Sequence, residues 1–115
     1  MKKTAAEIVA ELAPNDQYAL ARFAWQCRET NRNGNYMDGF AVDSRKGMRI
    51  SAVQRFLIDH DFVTHTGWTL RGEGWYRLSG GDARLRELKR IIQGTEGQKK
   101  FASVLRQYKK TGRWA

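Results

Sequence analysis

The stretch from residue 50 to residue 79 constrains the fold most, because its pattern changes from helical to extended without a gap. Ser51 with Gln54 three residues later is a capping-box pattern, which predicts a helix beginning near Ala52. After this helix, valine, threonine, tryptophan and tyrosine dominate, and Gly72 and Gly74 interrupt them. Such a composition is typical of a β-hairpin with its turn at 71–74. We therefore expect a short helix followed directly by a two-stranded ribbon.

This stretch resembles the recognition helix and wing of a winged-helix domain. The residues that carry the resemblance are Ser51, Ala52, Val53, Gln54, Arg55, Leu57, Phe62, Val63, Trp68, Leu70, Trp75, Tyr76, Leu78 and Ser79. They lie in about a quarter of the chain. The resemblance implies a helix that enters the major groove of DNA and a hairpin tip that touches the neighbouring backbone.

The length and composition fit one folded domain in a reducing compartment. A chain of 115 residues with 41% apolar residues can bury a single core. Lys2 and Lys3 are not followed by an apolar segment, and no run of about 18 apolar residues exists, so the sequence predicts neither a signal peptide nor a membrane span. The single cysteine, Cys27, excludes an intramolecular disulfide and is expected to be a small buried residue. We expect a cytoplasmic protein.

The net charge of +9 is the strongest global property of the chain and points to a polyanionic partner. The charge is uneven. Residues 82–115 contain ten lysines and arginines against three acids, whereas residues 1–81 contain eleven against nine. The C-terminal third therefore dominates the electrostatic field, although a run of charges is often only a solvated face.

Two helices are predicted before the central stretch. Thr4 and Glu7 form a capping box for a helix over 5–12, which Pro14 should end. Asn15 is expected to cap a second helix that runs to about Glu29. Its main apolar stripe contains Cys27, while Tyr18 and Trp25 lie nearly opposite, in the core or against a partner.

Turn-forming residues dominate 31–39, which we interpret as a loop. Phe40 and Val42 alternate with polar or small residues and predict a short strand that joins the hairpin as a third member. Asp43 and Ser44 favour a single helical turn through Lys46. The apolar first helix usual in winged-helix domains is poorly represented there.

Two amphipathic helices are predicted after the hairpin. Asp82 should cap the first, which ends before Gly94, and Thr95 with Gln98 should cap the second, which runs to about Lys109. Residues 1–110 are then a single winged-helix-like domain, and 111–115 are a basic tail. The predicted class is α+β, with helices around a small antiparallel sheet, a β-hairpin wing and two C-terminal helices.

The sequence contains no pattern that predicts catalysis. Cys27, His60 and His65 lack the paired spacing of a zinc site, so no metal site is predicted. His65 is expected on a strand, facing solvent or a phosphate. The glycines near the hairpin do not open a helix and are not read as a phosphate loop. We expect a non-catalytic protein with no cofactor.

Binding of double-stranded DNA is the leading interpretation, as a transcriptional regulator or accessory factor. Glutamine and arginine are the residue types that bond adenine and guanine edges, and lysines add affinity that depends on salt. The predicted nucleic-acid-binding residues are Arg45, Arg49, Ser51, Gln54, Arg55, Arg71, Lys99, Lys100, Lys109 and Lys110. The same residues would also suit the exposed sides of ordinary amphipathic helices and a surface hairpin.

Other interpretations remain open at this point. Trp68, Trp75 and Tyr76 suit the inner face of a small sheet, although they would also suit a stacking platform for single strands, and an RNA partner is a further reading. The alternative function is a small basic inhibitor or adaptor that binds an acidic protein, with Trp25 or Trp114 as the anchor. A homodimer through the C-terminal helices is possible by analogy, and a membrane partner is not expected.

Overall fold

The computed structural model describes residues 2–33, 39–43 and 51–114, and for residues 30–33 it describes the backbone alone. In these ranges the chain forms five helices and three strands. In chain order they are α1 (Ala5–Glu11), α2 (Pro14–Asn33), β1 (Gly39–Val42), α3 (Ala52–Asp59), β2 (Val63–Trp68), β3 (Gly74–Leu78), α4 (Gly81–Ile92) and α5 (Glu96–Thr111). The predicted α+β class is confirmed.

The three strands form one antiparallel sheet in the order β1-β3-β2. The predicted strand β1 therefore joins the hairpin as its third member, with Phe40 opposite Tyr76. In the hairpin, His65 pairs with Tyr76 and Gly67 pairs with Trp75, so Thr66 is an extra residue in β2. This bulge is a local irregularity that re-aims the side chains after it.

Helix α2 is the central element of the core. Helices α3, α4 and α5 all pack against it, and α1 packs on α4. The buried residues form one cluster, to which α2 contributes Leu20, Ala21, Phe23, Ala24 and Cys27. The prediction that Cys27 is buried is confirmed.

Helix α1 begins as predicted and α2 does not. The Thr4 hydroxyl accepts a hydrogen bond from the Glu7 amide, and the full capping box is present. Pro14, expected only to end the first helix, is also the first residue of α2, where its fixed φ suits a helix and its missing N–H is not needed. Asn15 is therefore inside the first turn, and its prediction as the N-cap is wrong. The amides of Asp16 and Gln17 donate to the Ala13 carbonyl instead.

The end of α2 and the following loop also differ from the prediction. The helix extends through Asn33, so the first three residues of the predicted loop 31–39 are helical, and Gly39 belongs to β1. Favourable tertiary packing of a long helix can override the weak helix propensity of asparagine. The predicted helical turn from Asp43 to Lys46 lies almost wholly outside the described residues.

The C-terminal helices have the predicted lengths but one different cap. Gly80, with φ 82°, is the N-cap of α4, so Asp82 lies in the first turn and is not the cap. A carboxylate in that turn still favours the positive end of the helix dipole. Thr95 caps α5 through the Gln98 amide, as predicted. No helix in the described ranges is long and apolar enough to cross a membrane.

Candidate nucleic-acid interface

Helix α3 has one face in the core and one in solvent. Phe56 and Leu57 are buried, and the Phe56 ring lies 5.8 Å from the ring of Phe62, measured between centroids. Arg55 and Asp59 are exposed and one helical turn apart. Among the described residues, Arg55 has no partner for an ion pair or a side-chain hydrogen bond. Its guanidinium is free to bind a partner.

The N-terminal end of α3 is the positive end of the helix. The Ser51 hydroxyl accepts a hydrogen bond from the Gln54 amide at 3.1 Å, and its own proton remains able to donate. Gln54 is half-buried, so it is less available than the sequence suggested. Ser51, Gln54 and Arg55 nevertheless lie together in the first turn, where the helix dipole favours an anion.

The C-terminal end of α3 is unfavourable for an anion. Asp59 is the last residue of the helix, and Asp61 follows with a φ of 60°. The His60 carbonyl accepts a hydrogen bond from Arg84 at 2.6 Å, so α4 fixes this end of α3. Since two carboxylates surround the negative end of the dipole, only the first turn and its neighbours suit phosphate.

The hairpin tip is a well-defined turn that projects two side chains. The Gly72 amide donates to the Thr69 carbonyl at 3.0 Å, and the Thr69 amide donates to the Glu73 carbonyl at 2.8 Å. The Thr69 hydroxyl also accepts from the Glu73 amide at 3.1 Å. Leu70 and Arg71 occupy the centre of this turn, and both are exposed. The predicted position of Arg71 at the tip is confirmed.

Trp68 does not lie in the core. Its side chain is 68% exposed, so the expectation that it faces the inside of the sheet is wrong. Trp68 pairs with Gly74 next to the turn, and its ring contacts the His65 ring, 4.6 Å away between centroids. Trp75 and Tyr76 are half-buried, and His65 is exposed as predicted.

The segment that contains α3 and the hairpin is electrically neutral. Residues 51–79 contain three arginines, at 55, 71 and 77, and three carboxylates, at 59, 61 and 73. Arg77 is half-buried and already has a partner. The free positive charge of this face therefore comes from Arg55 and Arg71 among the described residues.

The positive charge of the C-terminal third is concentrated on the outer face of α5. Phe101 and Tyr108 face α2, and helical spacing puts Lys99, Arg106 and Lys110 on the opposite side. All three are exposed, as are Lys100 and Lys109 on the flanks. We call Lys99, Arg106 and Lys110 the α5 stripe.

Arg84 differs from the other basic residues of the C-terminal helices. Besides the His60 carbonyl, it contacts the Glu87 carboxylate at 2.6 Å and lies over the Phe62 ring at 4.1 Å. It is therefore a structural link between α4 and the end of α3.

Ser51, Gln54, Arg55 and Arg71 lie on the first turn of α3 and the hairpin tip, and we call this surface the α3–hairpin face. The α3–hairpin face and the α5 stripe lie on different sides of α2. Phe101 of α5 packs on Tyr18 and Trp25, whereas Phe40 of the sheet packs on Phe23. Each residue advances a helix by about 100°, so Phe23 and Trp25 are about 160° apart around α2. The α5 stripe points away from α2, and hence away from the sheet.

The predicted binding residues thus form two groups. Ser51, Gln54 and Arg55 share the first turn of α3, and Arg71 stands at the tip of the adjoining hairpin; the lysines of α5 belong to the other group. Arg45 and Arg49 lie outside the described residues. Within the described ranges, no three histidine, cysteine or acidic residues cluster as metal ligands would. Sequence reasoning did not identify Leu70 as exposed, although its place among turn residues was a usable signal.

Comparisons of the chain with models of protein families, with curated proteins and with solved structures found no match. Function is therefore inferred from the contacts, exposure and charge of this chain's own residues.

Proposed function

We propose that this protein is a non-catalytic, double-stranded DNA-binding protein of winged-helix type, acting as a transcriptional regulator or accessory factor. The first turn of α3 enters the major groove, and the hairpin tip contacts the flanking backbone or minor groove. The observation that carries the proposal is the free, exposed Arg55 at the positive end of α3, directly before a projecting hairpin.

The order of elements supports this proposal. A strand lies between α2 and α3, and it pairs with the second strand of the hairpin that follows α3. The winged-helix resemblance implies the same succession of recognition helix and wing. The helix is thereby held next to the ribbon, with its apolar side on α2 and its polar side outward.

Each proposed contact has a distinct chemical role. Arg55 donates a forked pair of hydrogen bonds to a guanine edge, and the partly exposed Gln54 reads an adjacent base. Ser51 donates its hydroxyl proton to a phosphate. Arg71 at the hairpin tip supplies a charge to the backbone and does not discriminate between sequences.

Selection of preferred duplexes followed by titration tests the role of Arg55. Changing Arg55 to Ala is expected to weaken binding to the preferred site by about 1–3 kcal/mol and to relax sequence preference. Arg71→Ala is the matched control, because Arg71 is also an exposed arginine but is proposed to contact the backbone alone. It should weaken binding to all duplexes alike. It should also reduce the slope of log affinity against log salt concentration by about one unit.

The same titration at two salt concentrations should include single-stranded DNA and RNA. The proposal requires that duplex DNA binds more tightly than either. Equal losses on every sequence for both variants would remove the distinction between base and backbone contacts. Absence of duplex binding by the unchanged protein at low salt would end the proposal.

The second candidate function is that of a small inhibitor or adaptor that binds an acidic protein. The exposed Trp68 and the fully exposed Leu70 favour it, since large apolar side chains close together on a surface often mark a protein contact. Trp25, the anchor suggested by the sequence, is packed against Phe101 and Tyr108 and is not free to serve. If this function is correct, Trp68→Ala abolishes partner binding and duplex DNA does not compete.

A further inference from the structure

The outer face of α5 is entirely polar and strongly basic. Between the residues that touch α2, this face presents Glu96, Lys99, Lys100, Ser103, Arg106, Gln107 and Lys110. It contains four cations against one carboxylate, and that carboxylate lies in the first turn, where it interacts favourably with the helix dipole. No ion pair to the α5 stripe is present in the described part of the chain.

The chemistry of this face selects the class of partner. The apolar residues of α5 are used against α2, so nothing remains that would insert into a membrane or fill a protein pocket. A partner must therefore be held by charge alone. The α5 stripe spans twelve helical positions, a rise of about 16 Å, and the same length of duplex carries about ten phosphates.

The position of this face excludes it from the interface that reads DNA. The sheet and α5 pack on nearly opposite sides of α2, and the α5 stripe points outward from α5. A straight duplex lying on α3 and the hairpin cannot also lie along the α5 stripe. The two surfaces are suited to two separate duplexes.

We propose that the α5 stripe is a second, sequence-independent DNA site, and that one molecule of this protein bridges two duplexes. This inference rests on the proposed function, because α3 and the hairpin hold the first duplex. Lys99, Arg106 and Lys110 bind phosphates of the second, and Lys100 and Lys109 add to the field at the edges of the contact.

A capture experiment tests the proposal. A duplex with the preferred sequence is fixed to beads, the full-length protein is added, and a fluorescent duplex of unrelated sequence is offered at low salt. The unchanged protein should retain the fluorescent duplex. The variant K99Q/R106Q/K110Q should retain at least about tenfold less, because three phosphate contacts are lost. Its affinity for the fixed duplex should change less than about threefold.

Two controls make the result specific. The variant K99R/R106K/K110R keeps every charge and should bridge as the unchanged protein does. The melting temperature of each variant should stay the same, since all three side chains are exposed. A dimer that bridged through two copies of the α3 face would still bridge after the glutamine substitutions, so this outcome overturns the inference.

The remaining outcomes separate the two proposals. If the unchanged protein binds the fixed duplex and captures no second one, bridging is wrong and the proposed function stands. If the glutamine variant loses all DNA binding and Arg55→Ala changes nothing, then α5 is the only DNA site. That result overturns both bridging and the assignment of α3.

Discussion

Gln17 and Gly97 show how single residues join the helices around α2. Gln17 is 5% exposed, and its side-chain amide donates to the Val9 carbonyl at 2.9 Å. Its side-chain oxygen accepts from the Gly97 amide at 3.0 Å, which is one of the amides that the start of α5 leaves unpaired. One polar side chain thus links α1, α2 and α5, and both of its hydrogen-bonding ends are satisfied.

Gly97 is required because α5 begins against the backbone of α2. A methyl group at this position would overlap the Pro14 carbonyl oxygen, the Gln17 Cβ and the Tyr18 amide. Gly97→Ala should therefore lower the free energy of unfolding by about 2–3 kcal/mol, although alanine is the better helix former. Denaturant titration measures this as a lower midpoint with an unchanged slope.

The matched control is Gly67→Ala in β2. An added methyl there meets nothing within 4 Å, and the residue has no positive φ. We expect its free energy of unfolding to stay within about 0.5 kcal/mol of the original. Equal effects at the two glycines would mean that α5 does not approach α2 as closely as described.

At the scale of elements, α3 is a short helix with opposite electrostatic character at its two ends. The first turn presents Arg55 and the positive end of the dipole, while Asp59 lies at the negative end. The proposed reading of DNA is therefore assigned to the first turn of α3, which is a narrower surface than the range 52–61 suggested by the sequence. Under the proposed function, the Asp59 carboxylate repels the phosphates of the duplex.

Asp59→Asn is therefore expected to raise affinity for duplex DNA. Removal of one carboxylate near the phosphates should strengthen binding about two- to fivefold at low salt, and the gain should fade as salt increases. The same change should alter the stability of α3 little, because the relief at the negative end of the helix dipole is offset by the lost i,i+4 attraction between Asp59 and Arg55. Filter binding or fluorescence anisotropy at two salt concentrations measures the first effect.

Glu96→Gln provides the comparison, because it removes the same charge from α5 instead. It should leave the affinity for a single preferred duplex nearly unchanged. If both substitutions raise affinity equally, the effect comes from net charge, and α3 has no special position.

The elements themselves were largely predictable, because their signals are local. Capping by Thr4, Ser51 and Thr95 fixed the starts of three helices, and apolar periodicity gave their faces. The starts of α2 and α4 were misplaced. In both cases the residue whose type favours an N-cap, Asn15 or Asp82, lies inside the first turn, because the helix begins before it.

The exposure of side chains was less predictable, because it depends on what covers each element. Tryptophan is typical of protein cores, yet Trp68, which follows the bulge at Thr66 and pairs with Gly74 next to the turn, is exposed. Arginine is typical of protein surfaces, yet the Arg84 guanidinium is held by a hydrogen bond to the His60 carbonyl, 24 residues earlier in the chain. The sequence also could not predict that the basic residues lie on two different sides of the molecule, because this depends on how the sheet and α5 pack around α2.

At the scale of the whole molecule, the C-terminal end of the chain is part of the helical packing. Gly112 has a φ of 73°, and its amide donates to the Tyr108 carbonyl at 2.7 Å, so the chain turns back after α5. Trp114 then stacks on Tyr108, with ring centroids 4.1 Å apart, and meets Trp25 edge-on at 5.3 Å. The guanidinium of Arg22 lies over the Trp114 ring at 5.2 Å.

These contacts predict that Trp114 stabilises the docking of α5 on α2. Trp114→Ala should lower the free energy of unfolding by about 1–2 kcal/mol, less than for a core tryptophan because the side chain is still 37% exposed. Arg113→Ala, one position earlier and exposed, should have little effect on stability. Denaturant unfolding of both variants gives the difference.

Trp114→Ala should also leave the affinity of the α3 face for a preferred duplex unchanged, because the aromatic contacts lie on the α5 side of α2. A stability loss in neither variant would show that the end of the chain is not docked in solution, and a loss of duplex affinity with Trp114→Ala would show that the two sides of α2 are coupled.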